Sequence, residues 1–330
     1  MICLGIESTA HTFGVGIVKE RKVLANVIDM YKPRKGGIIP YEASDHHVEV
    51  CDGVINAALE KAGLLMEDID VFAFSQSPGL GNCLKIGAMV ARSLSVLHKK
   101  PIVGVNHCVA HLEIGSLCCG STDPVLLYVS GANTQVIAFE GGKYRVFGET
   151  LDIGIGNLLD AFARELGIGF PGGPKIEEMA LKSRNYIELP YVVKGMDVSF
   201  GGILTNLKQK IRSKKLSAED LCFSVQETVF AMLVEVSERA MAHCNKKELL
   251  LGGGVACNLR LQEMCSIMCK ERNAKFFVPE KQFLLDNGAM IAWHGLISYK
   301  AGNTTSIEDS YIKPYERTDD VLVSWKQTDA

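Results

Sequence analysis

His107 and His111 stand four residues apart in Asn106-His107-Cys108-Val109-Ala110-His111. On a helix that spacing puts two imidazoles on one face, where both can reach one metal ion. Two ligands do not complete a site, and helix histidines bonded to water or carbonyl groups fit the same spacing. Cys108 follows the first histidine, where a zinc protease of the HExxH type needs its glutamate base, so that chemistry drops out. Asp286, in Leu284-Leu285-Asp286-Asn287-Gly288, sits at the start of a later helical pattern. It is either a simple helix cap or a hard oxygen ligand that completes the histidine pair.

Two glycine-rich segments offer a different chemistry. Gly252-Gly253-Gly254-Val255-Ala256-Cys257-Asn258 follows an apolar run, so a turn separates a strand from a helix and its amides can approach a nucleotide. A structural turn is the alternative reading. The pattern lacks the third glycine of GxGxxG and lies far from the N-terminus, which argues against NAD. In Gly79-Leu80-Gly81-Asn82-Cys83-Leu84-Lys85, Leu84 stands where a P-loop needs glycine. The segment 167–177 ends with Pro174 at a plausible first helical position and Glu177 and Glu178 in the first turn. Either this is a tight turn with dipole-matched acids, or the backbone approaches a ribose at Gly173 and Glu177 accepts from its hydroxyls. Lys32, Arg34 and Lys35, and the run Lys208, Lys210, Arg212, Lys214 and Lys215, are RNA contacts or solvated faces.

The elements that must position these residues repeat. Apolar alternation at 2–6, 13–18 and 23–28 predicts a three-stranded meander, and the same grammar returns at 125–129, 134–139 and 144–147. Helical patterns at 43–62 and 84–98 and strands at 71–75 and 102–105 follow the first meander. Helices at 158–166, 174–183, 218–243, 258–270 and 287–299 and strands at 248–251 and 275–278 follow the second. Two α/β halves, 1–122 and 123–330, are therefore expected, with a ligand site in the cleft between them and an insertion around 183–215 in the second half.

Composition sets the outer limits. The 330 residues are 47% hydrophobic and 22% charged, which excludes a mainly disordered chain. No apolar run is long enough to span a membrane, and the N-terminus lacks a signal-peptide pattern, so a cytoplasmic location is expected. Eleven cysteines without a CxxC pair read as reduced core filler. A net charge of −3 supplies no global attraction for nucleic acid.

Gly5-Ile6-Glu7-Ser8-Thr9-Ala10-His11-Thr12, Gly36-Gly37-Ile38, Ser77-Pro78-Gly79-Leu80-Gly81, the His107 and His111 segment, Tyr128-Val129-Ser130-Gly131 and the 252–258 segment together resemble the tRNA threonylcarbamoyladenosine transferase family. The wording is similar to its archaeal and eukaryotic branch, the KEOPS catalytic subunits formerly labelled O-sialoglycoprotein endopeptidases. The resemblance implies the two-lobed α/β fold of actin, sugar kinases and heat-shock ATPases (ASKHA), with a pseudo-twofold repeat. It implies one divalent metal, iron or zinc, on His107, His111, Tyr128 and Asp286. It further implies an adenine nucleotide, ATP or threonylcarbamoyl-adenylate, held by Tyr128, Val129, Ser130, Gly131, Ala132, Asp160, Gly173, Glu177 and Asn258. The reaction implied is threonylcarbamoyl transfer to N6 of the adenosine 3′ of the anticodon. The partners implied are tRNA, the small dimerising subunit, the atypical kinase and the kinase regulator. Ala132 departs from the family's usual glycine and is expected to restrict the backbone there. A small-molecule ASKHA kinase or an ATP-binding scaffold is the competing reading; paired imidazoles suit a softer metal than the Mg²⁺ such a kinase would use.

Overall fold

The computed structural model describes residues 1–33 and 37–326; Arg34, Lys35 and Gly36 lie outside the described residues. The chain runs β1 (Ile2–Glu7), β2 (Thr12–Lys19), β3 (Lys22–Met30), α1 (Pro40–Ala62), β4 (Val71–Ser77), α2 (Gly81–His98), β5 (Ile102–Asn106) and α3 (His107–Cys118). It continues through β6 (Val125–Val129), β7 (Thr134–Glu140), β8 (Lys143–Glu149), α4 (Ile155–Glu165), α5 (Gly172–Ala180), β9 (Val193–Lys194), β10 (Asp197–Val198), α6 (Gly201–Ser213) and α7 (Ala218–His243). Then come β11 (Glu248–Gly252), α8 (Leu259–Glu271), β12 (Lys275–Phe277), α9 (Lys281–Leu284) and α10 (Gly288–Lys300). One sheet is ordered β3-β2-β1-β4-β5 and another β12-β11-β6-β7-β8. Read from its other edge, the second has the order of the first, which is the repeat expected from the two meanders.

The compact units are Met1–Gly120 with Gly141–Tyr144 and Pro279–Ala330, and Ser121–Glu140 with Arg145–Val278. This grouping differs from a division at 122/123, because the C-terminal segment packs with the first unit. The reason is α10, whose residues from Gly288 to Leu296 are all buried. A helix apolar all round has no solvent face to offer and must be enclosed.

In the first unit the sheet buries both faces, as alternating side chains require. Leu4, Ile6, Phe13, Val15, Phe72 and Phe74 pack with Val54, Ala58, Ala88 and Ala91 of α1 and α2. Cys3, Val71, Ala73 and Val103 pack on the opposite side with Ala110 and Ile114 of α3 and Ala289, Ala292 and Leu296 of α10. There α10 lies directly on strand backbone: a Cβ on Gly16 would meet Ala289 N at 2.1 Å, and one on Gly5 would meet Ala292 N at 2.1 Å. The segment after α10 folds back as a strap. Thr305 N donates to Ile102 O at 2.9 Å and Lys313 N to Gln76 O at 2.9 Å. Ser77 Oγ donates to Glu316, and Trp325 Nε1 to Glu113 Oε1 at 2.7 Å.

In the second unit the region 183–215, expected as an insertion, carries secondary structure: β9 and β10 form a short hairpin, and α6 follows. Two glycines open α6 and hide it from local pattern reading. Ile203 and Leu207, one helical step apart, are buried. A distant residue anchors the start: Asp152 accepts from the amides of Phe200 at 2.9 Å and Gly201 at 2.8 Å and from the Ser199 hydroxyl. Burial pushes that carboxyl up, but these bonds outweigh it and bring its pKa to about 2. All eleven cysteines are free thiols, and Cys3, Cys83, Cys108, Cys222, Cys265 and Cys269 are buried.

Two predictions follow from this packing. Gly16→Ala should destabilise the chain by about 3 kcal/mol or more, since backbone must move to admit the methyl group. Gly53→Ala, at an α1 position where a Cβ meets nothing within 4 Å, should be neutral or stabilising. Urea unfolding of the two variants checks the contrast. Burial also holds the His47 imidazole down to about 4 and that of His294 down to about 3, so both are neutral in the folded chain. The unfolded chain binds those protons near pH 6.5, so this stability is complete above that pH. It is lost as pH falls toward the folded values, at about 1.4 kcal/mol per pH unit for each group. The urea midpoint should fall steadily from pH 7 to pH 4.5, and His294→Gln should flatten that slope.

Candidate metal and nucleotide sites

β1, β4 and β5 run parallel, so their carboxyl ends, Glu7, Ser77 and Asn106, lie at one edge of the first unit's sheet. Ligands of α/β sheets gather at such ends. Asn106 ends β5 and caps α3 by accepting from Cys108 N at 3.0 Å and Val109 N at 3.2 Å. His107 and His111 therefore occupy its first two turns, with ring centroids 4.7 Å apart. Asp286, between α9 and α10, places Oδ1 3.4 Å from His107 Nε2 and 3.5 Å from His111 Nε2. One ligand atom from each of the three residues lies within 4.8 Å of the others. The capping alternative for Asp286 is corrected here: the α10 cap is Asn287, whose side chain accepts from Met290 N at 3.0 Å.

Burial drives the His111 imidazole below its ordinary range, against the opposing pull of Asp286. Burial pushes the Asp286 carboxyl up, yet the His107 and His111 imidazoles facing it hold it well below the usual carboxylate range. Neutral imidazole nitrogen and ionised oxygen form a donor set that suits zinc or divalent iron. Behind His107 stands Glu7, fully buried, with Oε2 2.9 Å from His107 Nδ1 and Oε1 accepting from Thr9 N at 2.6 Å. Sequence reasoning gave Glu7 no role. The available signal was an acid ending a strand whose other residues are apolar or glycine, a position where burial demands hydrogen bonds.

Tyr128 is the penultimate residue of β6 in the second unit and is buried. The remaining candidates also belong to that unit and form three groups. Ser130 closes a turn on Asn133, and Gly156 N and Asn157 N donate to Ser130 O at 3.0 Å and Gly131 O at 2.9 Å, tying the turn to α4. Neither Gly131 nor Ala132 has a positive φ, so Ala132 is accommodated in the turn without backbone strain. Val129 lies against Gly253, which has φ 90° and whose Cβ would meet Val129 O at 2.4 Å. Asp160 Oδ1 accepts from Gly172 N at 2.7 Å, next to Gly173 at the start of α5. Pro171, rather than Pro174, precedes that helix, so Glu177 falls in its second turn. From there Glu177 Oε1 accepts from Leu259 N at 2.7 Å. Asn258 caps the same helix, α8, through Arg260 N and Leu261 N, and donates to Gln226 at 2.9 Å. Glu177 and Asn258 thus meet at one helix start. Of the basic candidates, Lys208 pairs with Glu165 at 3.0 Å, while Arg212, Lys214 and Lys215 are exposed.

A family model described as tRNA N6-adenosine threonylcarbamoyltransferase matches residues 22–293. The Thermococcus kodakarensis protein of that name is 60% identical over 325 residues, which cover 98% of this chain and 100% of that one. The Archaeoglobus fulgidus protein of the same name is 54% identical over 98% of this chain and 100% of its own length. A Methanosarcina mazei protein named probable bifunctional tRNA threonylcarbamoyladenosine biosynthesis protein is 56% identical over 98% of this chain, which spans 59% of its length. Among solved structures, HypF of T. kodakarensis matches at TM-score 0.64 and 15% identity, over 91% of this chain and 48% of that one. Component A of the Acidaminococcus fermentans (R)-2-hydroxyglutaryl-CoA dehydratase matches at TM-score 0.57 and 13% identity, over 92% and 100%. At those identities the likeness shows the fold alone, an α/β fold of the ASKHA type. The family match and the full-length relatives go further: the chain belongs to the tRNA N6-adenosine threonylcarbamoyltransferase family and is an acyltransferase acting on tRNA.

Proposed function

We propose that the chain transfers the threonylcarbamoyl group of threonylcarbamoyl-adenylate to N6 of the adenosine immediately 3′ of the anticodon, in tRNAs reading codons that begin with A. The observation that carries this reading beyond the family is the donor set of His107 and His111, both buried, and Asp286, partly exposed. These residues would hold divalent iron or zinc, and Tyr128 enters as a further ligand from the family resemblance alone. Such an ion, when bound, supplies Lewis-acid stabilisation of negative charge on phosphate and carbonyl oxygens.

In the transfer a bond forms between N6 and the carbamoyl carbon, the bond from that carbon to the phosphate oxygen breaks, and AMP leaves while N6 gives up a proton. The mixed anhydride is already activated, so no serine or cysteine nucleophile is needed. The chain's own task is orientation of the two substrates. We assign the adenine to the neighbourhood of Asn258, the ribose to Gly173 and Glu177 near Asp160, and the phosphate to the turn of Val129, Ser130, Gly131 and Ala132. The meeting of Glu177 and Asn258 at the start of α8 supports this placement.

The setting we infer is a cytoplasmic KEOPS-type complex with the small dimerising subunit, the atypical kinase and its regulator. A net charge of −3 is poorly suited to neutralising tRNA phosphates, so partners would contribute basic surface. Exposed Val48 on α1 and Met89, Val96 and Leu97 on α2 supply apolar area for such contacts. Among the described residues, no helix is long and apolar enough to cross a membrane.

The metal assignment is checked by elemental analysis of protein purified without added metal, paired with a tRNA modification assay. About one equivalent of iron or zinc is expected, and His107→Ala with His111→Ala should remove most of it and lower transfer at least ~100-fold. Full metal content and activity in that variant would overturn the assignment. Glu177→Ala should weaken adenine-nucleotide binding about tenfold, the loss expected of one or two good hydrogen bonds, with the fold retained and the melting midpoint lowered only as far as the ~1 kcal/mol of the Leu259 amide bond it also removes. Unaltered affinity by calorimetry would remove the ribose from Glu177.

A further inference from the structure

Glu7 ends β1 with its carboxylate fully out of water, and its hydrogen bonds are divided between two neighbours. Oε1 accepts the Thr9 amide at 2.6 Å together with the Thr9 hydroxyl, and Oε2 lies 2.9 Å from His107 Nδ1. We propose that Glu7 sets the tautomer of His107 and is thereby a positioning residue of the metal centre; this rests on the metal reading of His107, His111 and Asp286.

A carboxylate only accepts, so the hydrogen between Glu7 and His107 belongs to the Nδ1 of the imidazole. The Nε2 lone pair then faces Asp286 Oδ1 at 3.4 Å, and Asp286 in turn faces His111 Nε2 at 3.5 Å. Two ring nitrogens and a carboxylate oxygen thus converge, an arrangement that a cation satisfies. A carboxylate on the far nitrogen of a ligating histidine fixes the ring and raises its basicity. The first strand of the sheet and the first turn of α3 are joined by this bond, beside which Thr9 Oγ1 lies 3.3 Å from the same Nδ1, so the ring orientation is inherited from the sheet side rather than from α3 alone.

Glu7→Gln is the sharpest test because it preserves shape. The two Thr9 donors retain the single amide oxygen, and the amide NH₂ is left facing His107 Nδ1. That nitrogen must then accept, and the proton moves to Nε2, where it blocks ligation. The expected result is a loss of about 10–100-fold in affinity for Co²⁺ alone and for Zn²⁺ alone, measured by competition with a chromophoric chelator. The metal-free melting midpoint should stay near that of the unmodified chain. Affinities within about twofold of the unmodified chain would overturn the proposal. Should E7Q not fold, long-range ¹H–¹⁵N spectra of the unmodified, metal-free chain at pH 8 decide the question. They are expected to show His107 carrying its proton on Nδ1 with Nε2 bare; a proton on Nε2, alone or together with Nδ1, refutes the assignment. If the unmodified chain binds neither Co²⁺ nor Zn²⁺, the metal reading fails on its own, and the same spectra still judge Glu7.

Discussion

Backbone-to-backbone contact between α10 and the first sheet governs where everything else in the first unit can go. Gly16 and Gly5 remove the side chains that would hold a helix off the strands, and Gly288 does the same from the helix side, where a Cβ would meet Gly16 N at 2.1 Å. Because α10 sits this low, the residues just before it come down beside the carboxyl ends of β1 and β5. Asp286 is one of them. Its carboxylate meets His107 and His111 as a consequence of sheet packing, and a helix standing off by the width of one methyl group would carry that oxygen out of reach of both rings.

The same geometry concentrates charge that the rest of the chain disperses. Glu7, buried, and Asp286, partly exposed, bring two carboxylates to the two ring nitrogens of His107, while His111 is driven neutral by burial. A divalent cation would balance the two acids. Without that balance, the two like charges on either side of one ring repel more than they would in open water, since the surroundings screen them less. The site is thus better suited to holding a metal than to being a packed, self-sufficient core.

Much of this was legible in residue order. The strand alternation placed all ten strands of the two sheets, and the spacing of His107 and His111 put both rings on one helix face. What sequence did not reveal depended on partners remote in the chain. Helix α6 begins at two glycines and is held by Asp152, some fifty residues earlier, so local pattern had nothing to read. Glu7 looked like part of a motif without a task because its partner, His107, is a hundred residues on and meets it only through the parallel pairing of β1, β4 and β5. Pro174 suggested a helix start, but the turn at Pro171 had already begun one, moving Glu177 to the second turn and within reach of α8. The grouping of Pro279–Ala330 with the first unit was hidden for a related reason: apolar character all round says that α10 is enclosed without saying by what.

That grouping also orders events in time. During synthesis β1 to β5 leave the ribosome with one face of their sheet lacking α10, and the entire second unit is translated before α10 and the strap appear. At about 5–20 residues per second the delay is on the order of ten to thirty seconds. Over that interval the second unit, contiguous but for four residues, can complete its own core. The first unit cannot, and its apolar strand face, including Val71, Ala73 and Val103, waits for a cover. The His107 and His111 pair is made early and Asp286 late, so the three-residue donor set is among the last features of the nascent chain to assemble, and a metal captured there would close a folding process rather than begin one.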